Sequence, residues 1–156
     1  WYILQEFNWD SVKQQKQKSN PDYIEDLSRL ITWNGKPVFP KKILVPPEEN
    51  GFIRDLKRAG QTRPNICGVD AADNNIMPGI EDLTTLFAVG RLKILGRNCP
   101  ATVHGFMNLL WDAKKQEQGI DMYTKGGSGS PDHACDANRY IGRQAAKTLR
   151  QMGLIL

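Results

Sequence analysis

Short runs of branched and aromatic residues alternate along this chain with longer stretches whose apolar side chains recur at helical spacing, and glycine or proline punctuates the changeovers. That alternation constrains the fold more than any other feature, because interleaved strands and helices pack as α/β layers. A strand is predicted over 1–9, where Tyr2, Ile3, Leu4 and Phe7 fall among aromatic and branched neighbours, and a polar, lysine- and glutamine-rich connection follows over 10–19. Asn20 and Pro21 predict a helix start, with Asn as the cap and Pro in the first turn. Tyr23, Leu27, Leu30 and Ile31 continue that helix, and Asn34-Gly35 stops it. A strand over 42–45 runs into Pro46-Pro47. A helix over 51–59 carries Phe52, Ile53 and Leu56 and ends at Gly60; a further strand is expected near 66–69, before a polar loop over 70–75. Pro78-Gly79 opens a helix bearing Ile80, Leu83, Leu86 and Phe87, closed by Gly90. A strand over 91–95 and a helix from Pro100 with Val103, Phe106, Met107, Leu110 and Trp111 come next. Residues 116–130 form a polar connection that Gly126, Gly127 and Gly129 make flexible. The last helix is expected to be capped by Ser130, to hold Pro131 in its first turn, and to reach about Met152.

A chain of 156 residues sustains one hydrophobic core and is short for two. Its content of 40% hydrophobic and 24% charged residues is that of a folded globular domain. No run of eighteen apolar residues and no secretory opening is present, which argues against a membrane partner and for the cytoplasm. Cys67, Cys99 and Cys135 are spaced too widely for a zinc knuckle or a redox pair and read as free thiols. A formal net charge of +4 permits nucleic-acid binding without requiring it. Basic residues gather at Lys13, Lys16 and Lys18, at Lys41 and Lys42, at Arg54, Lys57, Arg58 and Arg63, and at Arg139, Arg143, Lys147 and Arg150; each cluster serves equally as a solvated face.

Chemistry concentrates at the start of the last helix. Asp132, His133 and Asp136 stand three or four residues apart or adjacent, a spacing that crowds them onto the first turns. Carboxylates there suit a hard divalent cation, which activates water and neutralises the charge that develops on a phosphodiester. The plainer alternative is helix capping, since free amides and the dipole favour acids in any first turn.

The run Asp132-His133-Ala134-Cys135-Asp136-Ala137-Asn138-Arg139-Tyr140 resembles the closing motif of the nuclease domain of tailed-bacteriophage terminase large subunits. Upstream segments resemble the same family in the same order: ILQEFNWD at the opening, the helix with Tyr23 to Leu30, FIRDLKRAG over 52–60, Pro78-Gly79-Ile80 followed by the strand at 92–95, and Trp111-Asp112. Each piece is short, and together they span nearly the whole chain. The resemblance implies an RNase H-like α/β domain, a mixed sheet flanked by helices with metal-binding acids on central strands and the closing helix. It places the closing acid on Asp136, as a metal ligand, the histidine on His133, as ligand or proton handler, and a flanking acid on Asp132. The expected cofactors are Mg²⁺ or Mn²⁺ at a two-metal site. The expected substrate is concatemeric double-stranded DNA, cleaved during genome packaging in the bacterial host cytoplasm. An ATPase domain, the small terminase subunit and the portal protein are the partners the family implies.

Departures from the family pattern shape the expectation as much as the matches do. The family's first catalytic acid lies on a strand that would precede residue 1, so residues 1–156 are expected to form a partial nuclease domain without its first strands, marginal in stability by itself. The second acid aligns with Pro46, which has no side chain to bind a metal; Glu48 and Glu49 are the nearest replacements. A third family acid falls on Gly105, beside His104. Two alternatives therefore stand beside a nuclease: a catalytically silent prophage remnant of that domain, and a small α/β nucleic-acid-binding or protein-interaction module in which Asp132 and Asp136 only open a helix.

Overall fold

The computed structural model describes residues 1–110, 112–119 and 131–155. In chain order its elements are β1 (Tyr2–Ile3), α1 (Asn20–Leu30), β2 (Thr32–Trp33), β3 (Lys36–Pro37), β4 (Ile43–Val45), α2 (Asn50–Ala59), β5 (Val69–Ala71), α3 (Ile76–Ala88), β6 (Lys93–Ile94), a 3-10 turn (Gly96–Asn98), α4 (Pro100–Asn108), α5 (Ala113–Glu117) and α6 (Pro131–Gln151). The chain divides into two units, Trp1–Gln14 with Asn75–Leu156, and Gln15–Asn74. Among the described residues the strands pair two by two: β1 with β6 and β4 with β5 in parallel, β2 with β3 antiparallel. The architecture is thus α/β, with parallel and antiparallel pairing flanked by helices.

In the inserted unit, 15–74, helix α1 begins one residue earlier than its asparagine-proline signal predicts. Ser19 is the cap, and the Asp22 carboxylate accepts hydrogen bonds from the Ser19 N–H (2.9 Å) and hydroxyl (2.8 Å). Asn20, freed from capping, donates to Asp55 on α2 at 2.8 Å. Asn34-Gly35 does not stop the helix, which ends at Leu30 with Ile31 as its cap, before the strand that leads to Asn34. Asn34 and Gly35 have positive φ, 49° and 74°, as the turn of a tight hairpin requires, and they join β2 to β3. The strand expected at 66–69 lies further on, at Val69–Ala71, because Gly68 at φ +65° passes so close to the Lys41 carbonyl that only a glycine fits before the ladder starts. Ile66 is spent on packing instead, and with Ile24, Val45 and Leu56 it forms the core of this unit.

The other unit is organised by α6. Its apolar face carries Ala145, Ala146 and Leu149 onto Leu83 and Leu86 of α3 and onto Leu92. Two glycines let α3 and α6 approach: a Cβ on Gly142 would stand 2.5 Å from Leu83 Cδ2, and one on Gly79 would stand 2.5 Å from Arg139 Cγ. A buried carboxylate is enclosed between the same helices. Asp82, 1% exposed, meets Arg143 Nη1 at 2.7 Å and Arg150 Nη2 at 2.6 Å, so two guanidiniums offset its desolvation. The strand expected over 1–9 contracts to Tyr2–Ile3, where Lys93 N–H reaches the Trp1 carbonyl and Leu95 N–H the Ile3 carbonyl. Beyond it the chain leaves the ladder to do something else: the Glu6 carboxylate accepts from the backbone N–H groups of Ala101 (2.5 Å) and Thr102 (2.8 Å), capping α4 from a distance in sequence. Met107 and Leu110, expected on the packed face of α4, are 79% and 71% exposed; Met107 lies in the last turn of the helix and Leu110 beyond its end at Asn108. The loop expected over 116–130 gives way to α5 at its start, and 120–130, with the predicted cap Ser130, lies outside the described residues, as does Trp111.

Candidate functional site

Helix α6 presents its opening residues to different surroundings. Asp132 is 3% exposed, and its Oδ1 has no hydrogen-bond partner among the described residues. His133, one residue on, is exposed and Asp136 half-buried. Neighbours on a helix project about 100° apart, so a buried Asp132 sends His133 outward. Asp136 projects between them, so the three share an arc of roughly 100° and differ in depth, from buried Asp132 to exposed His133.

Asp136 is held within its own helix. Arg139 donates to Asp136 Oδ1 from Nη2 (2.8 Å) and Nε (3.2 Å) and reaches the Asn75 carbonyl from Nη1 (3.2 Å). The guanidinium is buried, and its carbon stands 4.8 Å from the centre of the Tyr140 ring. Cys135 lies between the two acids and is buried; burial first, and then the charges of Asp136 and Asp132, push its thiol up to about 11. At neutral pH it is a protonated packing residue and not a nucleophile.

A polar network, not legible beforehand, anchors this helix. Asn138 donates to Thr102 Oγ1 (3.0 Å) and to the Ala134 carbonyl (2.7 Å), and the Thr102 hydroxyl donates to Glu6 (2.8 Å). Thr102 and Asn138 are buried, so each satisfied bond avoids a desolvation cost of about 1–3 kcal/mol. Their positions in sequence carry no signal, because Glu6 and Thr102 are brought together only by the tertiary fold.

Glu48 and Glu49 belong to the 15–74 unit. Both are exposed; Glu49 stands before the first turn of α2, and Glu48 accepts from Asn74 Nδ2 at 3.4 Å. Pro46 follows the last residue of β4, its carbonyl accepting from the Glu49 N–H at 3.0 Å. No group of three His, Cys, Asp or Glu side chains placed to hold a metal ion occurs among the described residues. Asp132 has the orphaned oxygen a cation would satisfy, whereas Asp136 is engaged by Arg139 and His133 is exposed, so as they stand these side chains do not form the expected two-metal donor set. His104, on α4, is exposed. An apolar groove of about 240 Å³ runs beside these residues, lined by Ile80, Leu83, Thr84, Phe87, Phe106, Leu109, Leu110, Cys135 and Arg139; it excludes Asp132, His133 and Asp136. No helix among the described residues is long and apolar enough to cross a membrane.

No family model matches the chain, and no curated protein does. Solved structures do. The large terminase from the thermophilic bacteriophage D6E in complex with ATP-gamma-S is similar to it at 29% identity and a TM-score of 0.76, over 90% of this chain and 32% of that one. A second crystal form of the same terminase gives 28% identity and a TM-score of 0.77 over 92% and 32%, and the complex with ADP gives 29% and 0.75 over 90% and 32%. The chain spans about a third of the length of the terminase it matches. Over nine-tenths of its own length, the chain is a structural homologue of part of a phage large terminase.

Proposed function

We propose that this chain serves as nuclease-end sequence of a terminase large subunit, an RNase H-like portion that acts on double-stranded DNA during genome packaging. The observation that carries the proposal is the likeness to the D6E large terminase over nearly the whole chain, joined to the Asp-His-x-x-Asp run at the opening of α6. In this reading Asp136, His133 and Asp132 are the residues of α6 offered toward Mg²⁺ or Mn²⁺. The D6E terminase was solved with ATP-gamma-S and with ADP; an ATPase domain, the small terminase subunit and the portal protein are accordingly the proposed partners of the parent assembly.

A second reading, that the chain by itself is catalytically silent, is favoured by the Arg139 grip on Asp136 and by Pro46. Because the donor set does not fit, no hydrolytic step is assigned to these residues. Calorimetric titration with Mn²⁺, run beside plasmid nicking and with Asp136→Asn as the comparison, separates the readings. Saturable binding and nicking that both vanish in the variant establish an active site. A folded protein, judged by circular dichroism, that neither binds nor nicks removes the active reading.

A further inference from the structure

Helix α2 puts its apolar residues on one side: Leu56 is fully buried, with Phe52, Ile53 and Ala59 packed around it. At 3.6 residues per turn, Arg54, Lys57 and Arg58 fall within an arc of roughly 100° on the opposite side, and all three are exposed. No carboxylate among the described residues makes an ion pair with any of them, whereas Lys18, Lys42 and Arg63 of the same unit are each paired. The patch extends onto the neighbouring ladder. Lys42 meets Asp70 at 3.1 Å, and Lys57 adds to the field that holds the Asp70 carboxyl below its usual range, after the hydrogen bond from Lys42 and its charge. Lys41, exposed and without an ion pair, adjoins Lys42. Asp55, between Arg54 and Lys57 on the same helix, is turned to Asn20 at 2.8 Å. The helix dipole rewards cations in the last turn, which accounts for Lys57 and Arg58 but not for Arg54 or for the lysines beside β4.

We infer that the Arg54, Lys57 and Arg58 face of α2, extended by Lys41 and Lys42, is a contact surface for the phosphate backbone of duplex DNA. Binding there is independent of base sequence and sensitive to salt, since exposed cations gain affinity by releasing condensed counterions. The choice of DNA as the polyanion rests on the function proposed above, while the surface itself rests on the charge geometry.

The test is fluorescence anisotropy of a short labelled duplex across a salt series. It compares the unaltered chain, the triple variant R54Q/K57Q/R58Q, and a control triple variant, K36Q/K93Q/R97Q, that removes the same charge from exposed positions elsewhere. Circular dichroism confirms that each is folded. The expected result is a slope of log affinity against log salt that is shallower by about 2 to 3 in the first triple variant and by much less in the control. Equal losses in both variants, or none in the first, overturn the surface while leaving DNA binding standing. A chain that binds no duplex even at low salt overturns the surface and the DNA reading together. Binding to polyglutamate but not to the duplex, lost in the first variant, overturns it in favour of an acidic protein.

Discussion

At the scale of single residues, helix geometry decides which members of a motif can act together. Asp132 and Asp136 are one turn apart, but Arg139 sits on the next turn and claims Asp136. The identity of each motif residue was readable, as was Cys135 as a free thiol; its raised pKa and the competition for Asp136 were not, because both depend on how Cys135 and Arg139 are buried. Cys135 gives a pH prediction whose sign follows from its raised thiol. The folded state disfavours the thiolate, so its contribution is fully present below the ordinary thiol value of 9.0 and is lost as pH rises through about 11. Urea midpoints of the unaltered chain should therefore fall between those pH values, and Cys135→Ala should flatten that decline. An equally steep decline in the variant would assign it to other groups.

At the scale of elements, the α3–α6 contact depends on absent side chains. Gly142→Ala would drive a methyl into Leu83, and overpacking of this kind costs about 1–3 kcal/mol, to be read from the urea midpoint; an unchanged midpoint would mean the helices part without strain. The Asp82 cluster predicts a loss of comparable size. Arg143→Met leaves the buried carboxylate facing Arg150, and at the low end for a broken buried pair about 3 kcal/mol is expected. The helices were legible because their apolar period and glycine stops are local properties: α2, α3 and α4 start and end within a few residues of expectation. Strands were legible less well. The aromatic run at 1–9 has strand propensity throughout, yet β6 pairs with only two of its residues and Glu6 turns aside to cap α4. Ile66 has the side chain of a strand residue and the position of a core residue. Asn34-Gly35 read as a helix stop, and only the pairing of β2 with β3 shows that the chain uses it as a hairpin turn.

At the scale of the whole molecule, two cores are built from different parts of the chain, and 15–74 interrupts the sequence of the other unit. A single-domain expectation based on length does not foresee this, because length constrains buried area and not its partition. Leu56, fully buried in the inserted unit, should cost roughly 2–5 kcal/mol when replaced by alanine, and hydrogen exchange should register the loss within 15–74. Protection that falls in 75–155 while 15–74 keeps its own would contradict the division.

The pairing of β1 with β6 has a consequence for the making of the protein. Tyr2 lies opposite Lys93 and Ile3 opposite Ile94, so the two strands of this ladder are separated by most of the chain. On a ribosome adding about 5–20 residues per second, the aromatic opening waits roughly 5 to 20 s for its partner strand to be synthesised. Trp1, Tyr2, Leu4 and Phe7 stay largely uncovered even in the folded chain. Through that interval their apolar side chains stand without the partner strand, open to the non-native pairing that unpaired strand edges invite.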